Sequence, residues 1–172
     1  MGGWMIPILN TRSKNMKKNY LPIAINITGE KILIIGGGQS AWSKIKILKR
    51  FDAYLEVVAL EVCADIRNSG IPYKIKAYEK SDLDGYLMFY SCTNNPQLDE
   101  QIARDGRDAG VLVNIHDQPA LCQFVSPAIY QNGDIRVAVS SNAKDVFSSI
   151  RIRNEIRDFL ETKTDKDQKD EY

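Results

Sequence analysis

The sequence is poor in the residues that most metal and hydrolytic sites are made from. It has one histidine, His116, and three cysteines, Cys63, Cys92 and Cys122. One imidazole rules out a multi-histidine metal centre and gives a Ser-His-Asp hydrolase almost nothing to work with. The cysteines are too far apart for a disulfide framework or a zinc site with paired ligands, so they read as buried thiols. No charge of one sign dominates, since 23 Lys and Arg face 22 Asp and Glu. No overall field therefore marks the molecule as a binder of nucleic acid or of a membrane surface. Long apolar runs are missing too. The longest, Lys31-Ile32-Leu33-Ile34-Ile35 running into glycine, falls far short of the roughly 20 residues of a membrane span. Residues 1–19 are basic in their second half, with no apolar stretch before a small-residue cleavage site. They read as a flexible leader of a cytoplasmic protein rather than a secretory signal, with Met16 as an alternative start.

What remains suits one globular domain with a small appendage: 172 residues, 44% hydrophobic and 26% charged. Residues 31–35 are nearly all apolar and β-branched, as expected of a parallel strand buried on both faces. From Ser40 to Phe51, the residues Ala41, Ile45, Leu48 and Phe51 recur at helical spacing, with Lys44, Lys46, Lys49 and Arg50 mostly elsewhere on the wheel. Further strands are expected at 54–60, 73–77, 86–91 and 111–115, the last after a helix over 96–109. This alternation predicts an α/β fold, a parallel sheet with helices on both faces.

The pattern changes near Asp117. One more strand is expected at 135–139 and a final helix at 146–160, with Ile152, Ile156, Phe159 and Leu160 on one stripe. The expected organisation is a leader at 1–19, a dinucleotide-binding domain at 20–116, a small α+β segment at 117–160 and a disordered charged tail at 161–172.

Gly36-Gly37-Gly38-Gln39-Ser40-Ala41 matches G-x-G-x-x-G/A directly after a buried strand and at the start of a helix, which is the Rossmann context. Gly36 permits the tight turn, Gly38 lets a pyrophosphate approach the backbone, and Ala41 allows close packing of helix on strand. The N–H groups of the first helical turn then face the anion. A glycine-rich turn without a ligand is the alternative. Glu61 lies 23 positions after Gly38, where an acidic residue would meet the ribose of NAD, and no arginine adjoins it to take a 2′-phosphate. That placement favours NAD over NADP, although Glu61 also suits a surface loop.

Several motifs follow in order. Tyr20-Leu21-Pro22-Ile23 opens the domain, and the glycine turn is followed by Ala41 and Lys44. Then come Thr93-Asn94-Asn95-Pro96, Val113-Asn114-Ile115-His116-Asp117, Leu121-Cys122 with Phe124, Pro127-Ala128-Ile129, and Val137-Ala138-Val139-Ser140-Ser141 leading to Arg151 and Arg153. Over residues 20–160 the chain resembles the precorrin-2 dehydrogenase family, the dehydrogenase and sometimes ferrochelatase module of sirohaem synthesis. The resemblance implies NAD-dependent oxidation of precorrin-2 to sirohydrochlorin, with Fe(II) insertion as a second activity in some members. It implies cofactor contacts at Gly36, Gly38, Gln39, Ser40, Leu60, Glu61 and Thr93, and it puts Asp117 at the position of the catalytic aspartate. A base there suits the chemistry, because the oxidation sends a hydride to NAD and releases a proton. On composition alone, Asp117-Gln118-Pro119 reads as a turn.

Because the substrate is a polycarboxylate, cationic and N–H donors are expected around it. Ser140, Ser141, Asn142 and Lys144 are the candidates for substrate contact, with Arg136, Arg151 and Arg153 further basic residues by location. No metal ligands are assigned. If the fifth strand continues through His116, that side chain points away from Asp117. The segment after Asp117 forms the dimer contact in the family and is too small here to bury its apolar residues alone, so a homodimer is expected. The chain departs from the family pattern at Ser43, Asp99 (where asparagine is usual), Asn142-Ala143, Asp145-Val146 and Ile150. Most of these lie on the substrate side. They keep open a second reading, a Rossmann module that binds NAD(H) or a tetrapyrrole as sensor or carrier, and a third, a chelatase without dehydrogenase activity.

Overall fold

The computed structural model describes residues 18–167, so most of the expected leader and the end of the expected tail lie outside the described residues. Five parallel strands form one sheet in the order β3-β2-β1-β4-β5: β1 Lys31–Ile35, β2 Tyr54–Ala59, β3 Tyr73–Ile75, β4 Met88–Ser91 and β5 Leu112–Ile115. Three helices connect them: α1 Gln39–Leu48, the single turn α2 Ala64–Arg67, and α3 Pro96–Asp108. Beyond β5 come an antiparallel pair, β6 Ala128–Asn132 and β7 Ile135–Val139, and a last helix, α4 Val146–Asp167.

Strand β1 is central and shows why the sheet needs cover on both sides. Ile32 and Ile34 pack with Ala41, Ile45 and Leu48 of α1 and Ile66 of α2. Leu33 and Ile35, alternating to the other face, pack with Ile102 and Ala103 of α3. All four β1 side chains are at most 2% exposed, and burial of each contributes about 1.5–3 kcal/mol. Helix α3 starts cleanly because Asn95 accepts from the Leu98 N–H at 3.2 Å and Pro96 fills a position that needs no donor. It ends before Gly110, which takes a left-handed φ of 72°.

Two elements differ from expectation. Strand β6 was not anticipated, since Ala128-Ile129-Tyr130-Gln131-Asn132 follows a proline and lacks a clean apolar–polar alternation. Its pairing is decided by the tight turn at Gly133 (φ 53°) into β7. The disordered tail expected from Glu161 is instead helical as far as Asp167. Each added residue of an existing helix gains a hydrogen bond without a new nucleus. Burial raises the pKa of the Tyr130 hydroxyl of β6, and Glu161 is near enough for its charge to help raise it, while Thr162 Oγ1 donates to the Asp158 carbonyl at 2.7 Å. The stripe on α4 is only partly covered, with Ile152 38% and Phe159 59% exposed. Of the three thiols, Cys92 and Cys122 are buried as expected, but Cys63 is only half-buried.

Helix α3 can lie close to the sheet because position 106 has no side chain. A Cβ there would stand 2.8 Å from both Phe89 Cζ and Val113 Cγ2. Phe89 is fully buried and has nowhere to move. Gly106→Val is therefore expected to lower stability by about 1–3 kcal/mol, read as a lower urea midpoint with an unchanged slope.

Candidate functional site

The carboxyl ends of β1, β2, β4 and β5 bring together the glycine turn, Leu60-Glu61, Cys92-Thr93-Asn94 and His116-Asp117-Gln118. The chain leaves β1 to one side for β2 and β3 and then crosses to the other side for β4 and β5, which opens a crevice between β1 and β4 at that edge of the sheet.

The three glycines do different things. Gly36 has φ 112°, and a Cβ there would run into the Cys92 carbonyl group at the end of β4. A Cβ on Gly37 would stand 2.8 Å from Val62 Cα, and the Gly37 carbonyl accepts from the Cys63 N–H at 2.8 Å. Gly37 thereby fastens the β1–α1 turn to the loop after β2, a role that the motif alone did not reveal. At Gly38 a Cβ would meet nothing within 4 Å. Gly38 also begins α1, whose first turn has no side-chain cap and no acidic residue. Open space over an uncapped helix start is the shape and polarity that a pyrophosphate requires. These residues fit a dinucleotide.

The other candidate cofactor residues surround this turn. Ser40 is half-buried in the first turn of α1, and Gln39 Nε2 donates to Asp65 Oδ2 at 3.2 Å across the turn. Leu60, 71% exposed, and exposed Glu61 flank the other side after β2. Thr93 is tied down, its hydroxyl donating to Asp99 Oδ1 at 2.9 Å and accepting from the Asn95 N–H at 3.1 Å.

Two cavities open here and share His116 and Asp117. The smaller, of about 230 Å³, is lined by residues that include Cys92, Thr93, Asp99 and Gln118. Burial pushes the Cys92 thiol up to about 12, with the Asp99 and Asp117 charges adding to the effect against Lys44. Cys92 therefore stays a thiol and is no nucleophile. The larger cavity, of about 550 Å³, lies between β5, α1 and the β7–α4 unit. Its walls are mostly apolar, including Ile47, Val125, Ile129, Val139 and Ile150, and its cations are Lys44, Arg50 and Arg153. The Lys44 ammonium stands 5.5 Å from the centroid of the Tyr90 ring. Arg153 donates to the Ile129 carbonyl at 2.9 Å.

Asp117 departs from the expected geometry. The strand ends at Ile115, and Asp117 adopts a left-handed φ of 57°, so neighbours no longer alternate faces. His116 does not point away: its Nδ1 is 3.5 Å from Asp117 Oδ1. The Asp117 carboxylate is 87% exposed at the mouth of both cavities.

Of the expected substrate residues, Ser140 and Ser141 line the larger cavity, but Asn142 and Lys144 do not. Asn142 instead accepts from the Tyr20 N–H at 2.7 Å and donates to the Lys18 carbonyl at 2.9 Å. Arg136 turns back to the Gly133 carbonyl and Arg151 pairs with Glu155, so of the three candidate arginines only Arg153 reaches this cavity. The helical spacing over 40–51 puts Lys44 and Arg50 away from the apolar stripe, with Arg50 in the short turn after α1. Their convergence with Arg153 depends on the return of the chain after β5, which no local pattern shows. Among the described residues no group of three or more His, Cys, Asp or Glu side chains is arranged to hold a metal ion, and no helix is long and apolar enough to cross a membrane.

Comparison with known proteins agrees with this geometry. Residues 23–128 match a family model described as "Putative NAD(P)-binding". A siroheme synthase of Azotobacter vinelandii is 36% identical over 127 residues, 72% of this chain and 27% of that protein. A siroheme synthase of Pseudomonas fluorescens is 33% identical over 145 residues, 82% of this chain and 31% of that protein. The chain thus spans only about 27–31% of the length of these relatives. A solved structure named "SirC, precorrin-2 dehydrogenase" shares the fold with a TM-score of 0.59 and 19% identity, covering 80% of this chain and 69% of its own.

Because Gly37 meets backbone rather than a flexible side chain, Gly37→Ala must push the β2–α2 loop away from the turn. The expected outcome is a stability loss of about 1–3 kcal/mol together with weaker NAD(P) binding, measured by thermal melting and by calorimetry. Gly38→Ala, with open space at its Cβ, should keep stability and lose only binding.

Proposed function

The chain belongs to an NAD(P)-binding family, and from that premise we propose that it is a cytoplasmic NAD-dependent dehydrogenase that oxidises precorrin-2 to sirohydrochlorin. The observation that carries this reading is the position of Asp117, at the shared mouth of a cavity beside the glycine turn and a larger cleft edged by cations. A tetrapyrrole is a broad apolar ring edged with carboxylates. The larger cleft offers apolar walls to the ring, and Lys44, Arg50 and Arg153 to the carboxylates. Its volume lies within the range of small-molecule sites. The names of the relatives and of the structural neighbour point to the same pathway.

Gly36, Gly38, Gln39 and Ser40 would hold the pyrophosphate, Leu60 and Glu61 would take the adenosine end, and Thr93 would lie on the nicotinamide side. NAD is favoured over NADP because the side chains around the ribose position include the carboxylates Glu61 and Asp65, which repel a 2′-phosphate. A bound nicotinamide would supply the hydride acceptor. Asp117 takes the proton released with it, reaching the larger cleft from an exposed turn where the proton can pass to water. Ser140 and Ser141 contribute hydroxyl groups on the opposite wall.

The chain acts as a homodimer in this reading. Val146 and Phe147, 64% and 85% exposed, stand at the start of α4, and Ile135 is 62% exposed on β7. A second copy packed there would take these side chains out of water. Fe(II) insertion, if the protein performs it, uses the same cleft and Asp117, with the metal as substrate.

The deciding assay is anaerobic: the protein, NAD and enzymatically made precorrin-2, followed at the sirohydrochlorin absorption band, with Fe(II) added in a separate arm. NAD-dependent product is expected, and its absence with NAD still bound would favour the sensor or carrier reading. Asp117→Ala is expected to lower kcat/KM by about 100-fold or more while the Kd for NAD is unchanged. Unaltered turnover removes Asp117 from its role.

A further inference from the structure

The Asp99 carboxylate is 3% exposed, yet its hydrogen-bond partners are neutral. Ser91 Oγ donates to Oδ1 at 2.6 Å, Thr93 Oγ1 donates to the same oxygen at 2.9 Å, and Gln118 Nε2 donates to Oδ2 at 3.0 Å. Donors on both oxygens, and a place in the first turn of the 13-residue helix α3, suit an anion. A buried carboxylate is ordinarily matched by a cation. Here no Lys or Arg is among the residues lining the cavity that Asp99 faces. Lys44, the cation whose field reaches Cys92, lies in the larger cleft over the Tyr90 ring.

The position of this cavity suggests what supplies the missing charge. With a pyrophosphate on the α1 turn and the adenosine end directed to Leu60 and Glu61, the other half of a dinucleotide runs across the sheet towards the ends of β4 and β5. The Asp99 cavity is there, against the strand end that Gly36 touches. An apolar cavity of about 150 Å³ takes a benzene ring, so 230 Å³ has room for a six-membered ring carrying an amide.

We propose that Asp99 makes this cavity selective for the oxidised, positively charged nicotinamide ring over the reduced, neutral one. The inference rests on the dinucleotide reading above and adds to it a preference between the two redox states of the cofactor. Transfer of a hydride, two electrons and one proton, from a substrate carbon to the ring cancels the ring's charge, while the second proton goes to the base. The attraction to Asp99 then disappears, and the reduced cofactor is released more readily. At high salt, where the Debye length falls to about 3 Å, the exposed Asp117 carboxylate is screened while the buried Asp99 charge is screened little, so the discrimination that persists there is due to Asp99.

The test is calorimetry of NAD⁺ and NADH, each alone, on the full chain and on Asp99→Asn, which keeps the shape and loses the charge. Wild type is expected to bind NAD⁺ at least about tenfold more tightly than NADH. In Asp99→Asn that ratio should fall at least about fivefold, mainly through weaker NAD⁺ binding. A ratio unchanged by the substitution, with both cofactors still bound, overturns this inference alone. If wild type binds neither cofactor, the dinucleotide reading falls with it. Should Asp99→Asn fail to fold, wild type measured at low and high salt decides. A preference for NAD⁺ that persists at high salt supports the inference, and equal affinities or a preference for NADH overturn it.

Discussion

The site depends on how closely three pieces of backbone approach one another at the end of β1. Gly36 lies against the Cys92 carbonyl group, and Gly37 against the backbone of Glu61 and Val62. A β-carbon at either position would wedge the turn away from β4 or from the loop after β2. Protein interiors pack too densely to absorb that displacement. The crevice therefore takes its form from two absent side chains. Only Gly38 is spared such contact, and the open space beside it lies at the uncapped start of α1. Contact at two glycines and vacancy at the third produce an anion site with a fixed floor.

A second constraint works through polar atoms. Asp99 gathers Ser91 from β4, Thr93 from the following loop and Gln118 from the turn after β5. Gln118 is the neighbour of Asp117, whose left-handed backbone costs on the order of 1–3 kcal/mol and must be held in place by its surroundings. The fold supplies that hold by returning the chain along β5. The Gln123 N–H donates to the Val113 carbonyl at 2.8 Å, and Asn114 Nδ2 donates to the Phe124 carbonyl at 2.9 Å. The turn that presents Asp117 is pinned on both sides, so an exposed carboxylate is still placed reproducibly.

The sheet and its glycine turn were legible in the sequence because both rest on local physics. Residues 32–35 read as a strand buried on both faces and Ala41, Ile45 and Leu48 as the helix face turned to it, and all are buried. Features that arise from contact between distant segments were not legible. Nothing near Gly37 announces that residue 63 will bond to it. The end of β5 at Ile115 follows the sequence pattern, but nothing near His116 shows that a left-handed residue at Asp117 will bring the two side chains together. The chemistry of Asn142 and Lys144 and their position in the chain point to substrate contact. The fold uses the Asn142 amide for a structural bond and leaves Lys144 outside the cleft. The basic residues that do meet, Lys44, Arg50 and Arg153, come from opposite ends of the sequence.

That use of Asn142 bears on how the larger cleft keeps its width. One wall belongs to the parallel sheet and its Asp117 turn, the other to the β6–β7 pair and α4, and few connections cross between them. The short segment at residues 18–20 makes four. Its backbone is held by Asn142 through the Tyr20 N–H and the Lys18 carbonyl, while Lys18 Nζ donates to the Cys122 carbonyl at 2.7 Å and the Tyr20 hydroxyl to the Pro119 carbonyl at 3.0 Å. Two of these bonds end beyond β7, and two end on the loop that follows Asp117. A strap fixed at both ends sets the distance between the walls, and with it the separation of Asp117 from the serines and Arg153 opposite. The residues that would touch a substrate are therefore spaced by a segment that lines neither cavity.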